Sequence, residues 1–366
     1  MKNHQNQLYL LAINLLPGLG PKPIKQLWEQ FNSPEEAFLT PAKSWNGISK
    51  GLQIKLGKAT KDKAFAQANE ILDKVEKKGY QVIDYFHTEY PQRLKHCADP
   101  PTLLFSQGNV SLNPKRAISI VGTRSATSYG LSFCKDFIAN LKPYNCTVIS
   151  GLALGIDSAV HKACLEEDIP TIAVLGNSLD FTYPAQNRSL SRKIEKHHRL
   201  LSEFPIDTKP DRGNFPMRNR IVAGMSDATV VVEAAAKGGA LITAELAFGY
   251  HREVFAVPGR LTDKYSEGCN ALIWYHRAQI LRSVEDLAKA LNWRSRPKKA
   301  AQLSLMPELS ANEKLILSIL QKEIELDRDE LSIKTKLNIG PLLVEITNLE
   351  LKGLIKSLPG NRYELG

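Results

Sequence analysis

The chain has 366 residues, too many for one ordinary core, so two or three domains are expected. Apolar residues make up 43% and charged residues 23%, which fits a globular protein and excludes a disordered one. A formal charge of +10 points to an anionic partner, and no segment reaches the roughly 18 consecutive apolar residues that span a bilayer.

The N-terminal stretch MKNHQNQLYLLAINLL has a polar front and no small-residue cleavage site, so no secretory signal is read. The five cysteines (Cys97, Cys134, Cys146, Cys164, Cys269) form no C-x-x-C pair and no zinc spacing. They read as reduced structural thiols in a cytoplasmic protein with no bound metal.

Residues 1–78 show helical periodicity broken by glycine and proline ("LLPGLGPKPIKQLWEQF", "SPEEAFLTPAKSW"), a small all-helical unit. Residues 79–292 change to short β-branched runs at 81–86, 117–121, 147–150, 171–176, 200–204, 229–234 and 253–259. Several are almost wholly apolar, as parallel strands covered on both faces should be. Helices are predicted between them at 128–141, 155–166, 186–197, 219–226 and 240–250. Repeated strand–helix–strand units call for an α/β fold with a doubly wound, mostly parallel, Rossmann-like sheet. Residues 293–309 are basic and hold two prolines, the pattern of a linker. Residues 310–366 show three helical stretches and then a hairpin around Pro359-Gly360, which suggests a winged helix.

Ligands of open parallel sheets sit beyond the carboxyl ends of the strands, where loops meet helix N-termini. Four such ends are unusual here. After Val121 come Gly122, Thr123 and Arg124: a close-approach glycine, a hydroxyl and a planar fork that matches a phosphate. Ser150 and Gly151 leave a second strand, and Gly155 precedes a helix carrying Asp157 and His161, either a base with its orienter or a cap with a packed ring. Asn177 and Ser178 follow a third, with Tyr183 placed to stack on a base or to cover the sheet end. Lys237, Gly238 and Gly239 open a helix after a fourth, and Glu233 at that strand's end is a candidate to orient Arg220.

Ahead of the fourth strand, Arg218 and Arg220 flank Asn219, within a basic band. Nine Lys/Arg against four acids lie between 184 and 223. The glycine spacing G-x-x-x-G is not the dinucleotide fingerprint, so no cofactor is expected. P-loop, G-x-S-x-G and paired-carboxylate motifs are lacking too. One anion site would suit a nucleotide, whereas a row of them suits a phosphodiester chain.

The ordered motifs "VGTRSATSYG", "SGLALGIDSAVH", "TIAVLGNSLDFTYPAQN", "LLSEFP", "FPMRNRIVAGMSDATVVVEA", "GGALITAELA" and "REVFAVPG" resemble the DNA-processing protein A family, DprA or Smf, from about residue 90 to 281. The resemblance implies a non-enzymatic, homodimeric protein that binds single-stranded DNA. It also implies protection of incoming DNA in natural transformation and loading of the RecA recombinase on strands covered by single-strand-binding protein. By that likeness Arg124, Arg218 and Arg220 line a pocket for backbone phosphates. Gly122, Thr123, Ser150, Gly151, Asn177 and Ser178 supply amides and hydroxyls. The flanks look like a helix-hairpin-helix element, or else a plain helical turn, around Gly18 and Gly20, and like the family's winged helix, whose mixed charge suits protein contact as well as DNA reading. The rival reading is a phosphoribohydrolase-like nucleotide enzyme. Those enzymes resemble the chain at "GGALITAELA", but Lys237 stands in place of their proline and Leu241-Ile242 in place of their Gly-Thr, with Glu245 nearby.

Overall fold

The computed structural model describes residues 2–28, 30–294, 309–321, 323, 326–358 and 361–365, which fall in two compact units, Met1–Arg296 and Pro297–Gly366. The first begins with α1 (Lys2–Asn14), α2 (Pro21–Trp28), α3 (Pro34–Leu39), α4 (Lys50–Lys55) and α5 (Lys58–Lys77). Proline opens α2 and α3 at positions whose amides would be orphaned anyway. Leu10, Ile13, Leu27 and Leu72 from these helices, with Trp45 from the connection between α3 and α4, share one apolar cluster with Phe105, Ala173 and Leu200 of the sheet. The helical segment is thus packed on the sheet by a continuous core.

The strands are β1 (Gln81–Asp84), β2 (Leu103–Gly108), β3 (Ala117–Val121), β4 (Thr147–Ser150), β5 (Thr171–Val174), β6 (Arg199–Ser202), β7 (Ala228–Val231), β8 (Glu253–Ala256) and β9 (Gln279–Ile280). They form a nine-stranded sheet ordered β1-β2-β6-β5-β4-β3-β7-β8-β9. Pairing is parallel from β6 through β9, and β2 joins antiparallel to both β1 and β6. Every residue of β3, β4, β5 and β7 is buried, which explains why their runs are apolar apart from small Ser and Thr residues. β2 and β9 lay outside the expected strands. The β2 run ends in polar Ser-Gln-Gly, and the two-residue β9 takes its form from β8.

A short α6 (Gln92–Lys95) precedes the crossover helices α7 (Ser128–Leu141), α8 (Ile156–Glu166), α9 (Arg188–His197), α10 (Asn214–Gly224) and α11 (Gly239–Gly249), followed by α12 (Glu267–Trp274) and α13 (Val284–Ala290). They cover both faces, one core running through α10 and α11 and another through α7, α8 and α13. α10 starts at Asn214 rather than at 219, because Pro216 lies in the first turn, where its missing N–H costs no helical bond. Chain order reverses between β3 and β7: β4 and β5 lie on one side of β3, β7 and β8 on the other. That reversal is a topological switch point, and it opens a crevice at the strands' carboxyl ends.

The second unit contains α14 (Ala311–Leu320), β10 (Leu326–Asp327), α15 (Arg328–Thr335), α16 (Ile339–Leu351), β11 (Ile355–Leu358) and β12 (Arg362–Leu365) around a core of Ile316, Leu331, Leu342 and Leu349. Capping boxes at Ser310–Glu313 and Asp327–Glu330 start α14 and α15. β11 and β12 form the expected antiparallel wing, with β10 added to β12, while Pro359 and Gly360 lie outside the described residues. So does most of the expected linker, 295–308. Among the described residues no helix is long and apolar enough to cross a membrane.

Candidate functional site

A cleft of about 790 Å³ lies at the switch point. Its floor and walls come from Gly122, Thr123 and Arg124 after β3, Gly151 after β4, and Lys237, Gly238 and Gly239 after β7; Phe215, Arg218 and Asn219 of α10 close one side. Arg212, Lys264, Tyr183 and Tyr265 complete the rim. Five cations and three aromatic rings therefore face one space, and Asp157 is the carboxylate of its described lining.

The loop bearing Arg124 is held from below. Glu233, buried and with φ +59°, accepts hydrogen bonds from the Thr127 amide (2.9 Å) and the Thr127 hydroxyl, and its own carbonyl accepts from Thr123 N (2.8 Å). Glu233 thus fixes the Arg124 loop and does not orient Arg220, contrary to the sequence expectation. Gly155 at φ +75° lets Ile156 N reach Thr123 O (3.1 Å), and a Cβ there would strike the Thr123 carbonyl.

Arg124 is exposed, and its guanidinium lies 5.5 Å from the centroid of the Phe215 ring. Phe215 in turn meets Tyr183, ring centroids 5.4 Å apart and tilted 38°. Tyr183 is 44% exposed, so this pair presents an aromatic face to solvent beside the guanidinium. Phe215 was not singled out in the sequence, nor were Arg212, Lys264 and Tyr265. The signal was present for Phe215, which stands in the same "NFPMRNR" stretch as the arginines.

Arg218 and Arg220 sit differently, though both are only 5% exposed. Arg218 lines the cleft from beneath: Nη1 donates to the carbonyls of Gly151 and Val174, while Nε is buried without a partner. A side chain at Gly151 would occupy the place of this guanidinium. Burial lowers the Arg218 pKa, with nearby Asp157 opposing the shift; burial raises that of Asp157, with Arg218 opposing in turn. Two residues further along α10, Arg220 points away. It pairs with Glu203 and donates to the Asp99 carbonyl, on the side of the helix remote from the cleft lining. The structure thus places Arg220 outside the cleft lining, contrary to the expectation that it meets phosphate there, and Glu233 is not its ion-pair partner. Asp227 is engaged by Arg93, at 2.6 Å.

The remaining candidates divide. Asn219 and the Gly238–Gly239 turn join the cleft, with Asn219 Nδ2 donating to Gly239 O at 3.3 Å, and α11 starts at Gly239 with its first amides directed there. Ser150, Asn177 and Ser178 do not line it. Their side chains are buried and bonded to backbone carbonyls: Ser150 to Ile120 (2.7 Å), Asn177 to Ser178 and Phe181 (both 2.8 Å), Ser178 to Thr208 (2.9 Å). They shape the loops instead. Asp157 and His161 do not form a catalytic pair either. Asp157 accepts from Ala153 N near the start of α8, and His161 is packed against Thr171 with its pKa pushed down to about 3 by burial. Glu245, the acid the rival enzyme reading would use, lines a separate groove with Lys25 and His251.

Such a molecule belongs to the class of Rossmann-type proteins with a cationic, aromatic-rimmed switch-point cleft, extended by a winged helix. The comparisons make the class specific. The family model described as "DNA recombination-mediator protein A" matches residues 81–292, and the one described as "DprA winged helix domain" matches 298–361. The chain belongs to the DprA family. It is 31% identical to Protein Smf of Synechocystis sp. over 99% of both chains, and 40% identical to the DNA processing protein DprA of Bacillus subtilis over 60% of this chain and 74% of that one. Its structure resembles the X-ray structure of DNA processing protein A from Streptococcus pneumoniae, with TM-score 0.67, 29% identity, and coverage of 80% of this chain and 99% of that chain. It also resembles the Helicobacter pylori DNA processing protein A solved for its single-stranded DNA binding mode, with TM-score 0.54, 29% identity, and coverage of 59% and 97%.

Proposed function

We propose that this chain is a recombination mediator that holds single-stranded DNA in the switch-point cleft. The observation that carries the reading is the grouping of Arg124, Arg218 and Lys237 with the Phe215–Tyr183 ring pair in one cleft. Guanidinium forks and free amides suit backbone phosphates, and aromatic faces suit unpaired bases of any identity. The Helicobacter relative's single-stranded DNA binding supports the same assignment. In this reading Gly122, Thr123, Gly238 and Gly239 approach the strand through their backbones, and Arg218 offers its unpartnered Nε from below. Ser150, Asn177, Ser178 and Arg220 keep the loops in place. The domains act as a helical unit (1–78), a DNA-binding sheet (79–292) and a winged helix (310–366). Family membership supports the finer role: a cytoplasmic homodimer, without cofactor or catalysis, that shelters incoming strands during natural transformation and hands them to the RecA recombinase past single-strand-binding protein.

The test is anisotropy with a labelled oligothymidine against unlabelled single-stranded and duplex competitors across a salt series. Binding should prefer the single strand, vary little with base composition, and fall linearly in log Kd against log salt with a slope of about 0.7 per phosphate held. Equal competition by duplex, or release of free base from nucleoside monophosphates, would overturn the assignment.

A further inference from the structure

The cleft accounts for Arg212, Arg218 and the residues across the switch point, but not for the densest part of the basic band. Those cations lie on α9. The helix buries Leu190, Ser191 and Ile194 against the sheet and exposes Arg188, Arg192, Lys193 and Lys196. None of the four makes an ion pair or a side-chain hydrogen bond among the described residues. Arg188, Arg192 and Lys196 stand four residues apart and repel one another; half-buried Glu195 is the one carboxylate of the helix and pairs with none of the four, so an anion lying along them would be held.

Position ties this surface to the cleft. β5 ends at Val174, and the loop after it carries Gly176, Tyr183 and Pro184, which line a small hollow with Arg124 and Phe215 at the cleft edge. α9 starts from that loop and runs back along the sheet to β6, so Arg188 is nearest the cleft and Lys196 farthest. Arg188, Arg192 and Lys196 recur every fourth residue, a rise of about 6 Å each, which suits successive phosphates of an extended strand. The neighbouring α8 ends at the opposite edge in Glu166, followed by Glu167 and Asp168, so the basic stretch is bounded there. The exposed face of α9 holds no apolar side chain, whereas protein partners are anchored by apolar or aromatic residues.

We infer that α9 is a second contact region for the same single strand, which leaves the cleft past Tyr183 and follows Arg188, Arg192, Lys193 and Lys196. The inference rests on the proposed cleft function. It makes affinity depend on strand length: a strand that only fills the cleft ignores α9, and a longer one gains from it.

The experiment compares the full chain with the exposed-surface variant Arg188→Glu/Arg192→Glu/Lys196→Glu on five- and twenty-nucleotide oligothymidines. The variant should bind the short strand as the parent does, and lose about tenfold or more on the long one, with its salt slope lower by about 2 for three lost phosphate contacts. Equal loss on both lengths, or none on either, would overturn the inference. So would an intact long-strand affinity accompanied by lost binding of a polyglutamate peptide, which would give α9 to an acidic protein. Arg124→Ala/Lys237→Ala, run beside it, separates the two claims: unchanged binding of the short strand by that variant would count against the cleft, whatever α9 does.

Discussion

The rim of the cleft and the layer beneath it use the same residue type for opposite purposes. Arg124 at the rim is exposed and rests on Phe215, and Lys237 opposite it is exposed as well. Arg220, in the same sheet-edge region, is buried and neutralised by Glu203. A rim cation loses only hydration when it meets a phosphate. A buried arginine would have to leave a carboxylate behind in a low-dielectric place, which is far more costly. Arg218 lies between these extremes: two of its protons go to carbonyls at the strand ends, and its Nε stays free beneath the cleft. Charge counts from sequence therefore overstate what is available for binding. Of the nine cations between 184 and 223, Arg199, Arg218 and Arg220 are interior.

The sharpest way to break this contrast is Arg220→Ala. It strands Glu203, and unfolding in urea should show a loss of about 3–5 kcal/mol, with DNA affinity per folded molecule little changed. A fully stable variant that no longer binds oligonucleotide would move Arg220 to the site.

Next comes Arg124→Ala/Lys237→Ala. Stability should hold, while each lost charged contact weakens oligothymidine binding by about 1.5–3 kcal/mol and lowers the salt slope by about 0.7. Phe215→Ala sharpens the rim further. Its loss of about 1–3 kcal/mol in affinity should leave the salt slope alone, because stacking releases no counterions.

The smallest effect concerns pH. Burial raises the Glu203 carboxyl above its ordinary 4.5, with Arg220 opposing. The folded chain then takes up the proton before the unfolded chain does, so this group's contribution falls as pH rises from 4.5 through the raised value. Against Glu203→Gln, the parent should gain relative stability in urea titrations as pH drops from neutral towards 4.5. A parent that loses ground over that window would reverse the sign and the assigned cause.

The strands beneath the site were legible because a strand buried on both faces must be apolar throughout, as Ile118-Ser119-Ile120-Val121 and Ala228-Thr229-Val230-Val231 nearly are. α7 was legible from its periodicity, α11 from its helix-forming Ala, Leu and Glu between two strand runs, and the glycines of the site from the loops they open. α10 was misplaced, since Pro216 reads as a break until its first-turn position is seen. That error hid Phe215, which helical geometry carries into the cleft with Arg218 and Asn219 and away from Arg220.

By itself, then, the sequence determined the parallel α/β sheet and its winged-helix extension, and it marked the strand-end glycines, of which the cleft gathers those after β3, β4 and β7, since periodicity and turn chemistry are local properties. Which arginine faces the cleft, which carboxylate holds which cation, and that Glu233 braces the Arg124 loop were decided only by tertiary structure. Those outcomes depend on side-chain directions between segments far apart in the chain, such as Glu203 with Arg220 or Thr127 with Glu233, and on which charges the packed sheet leaves dry.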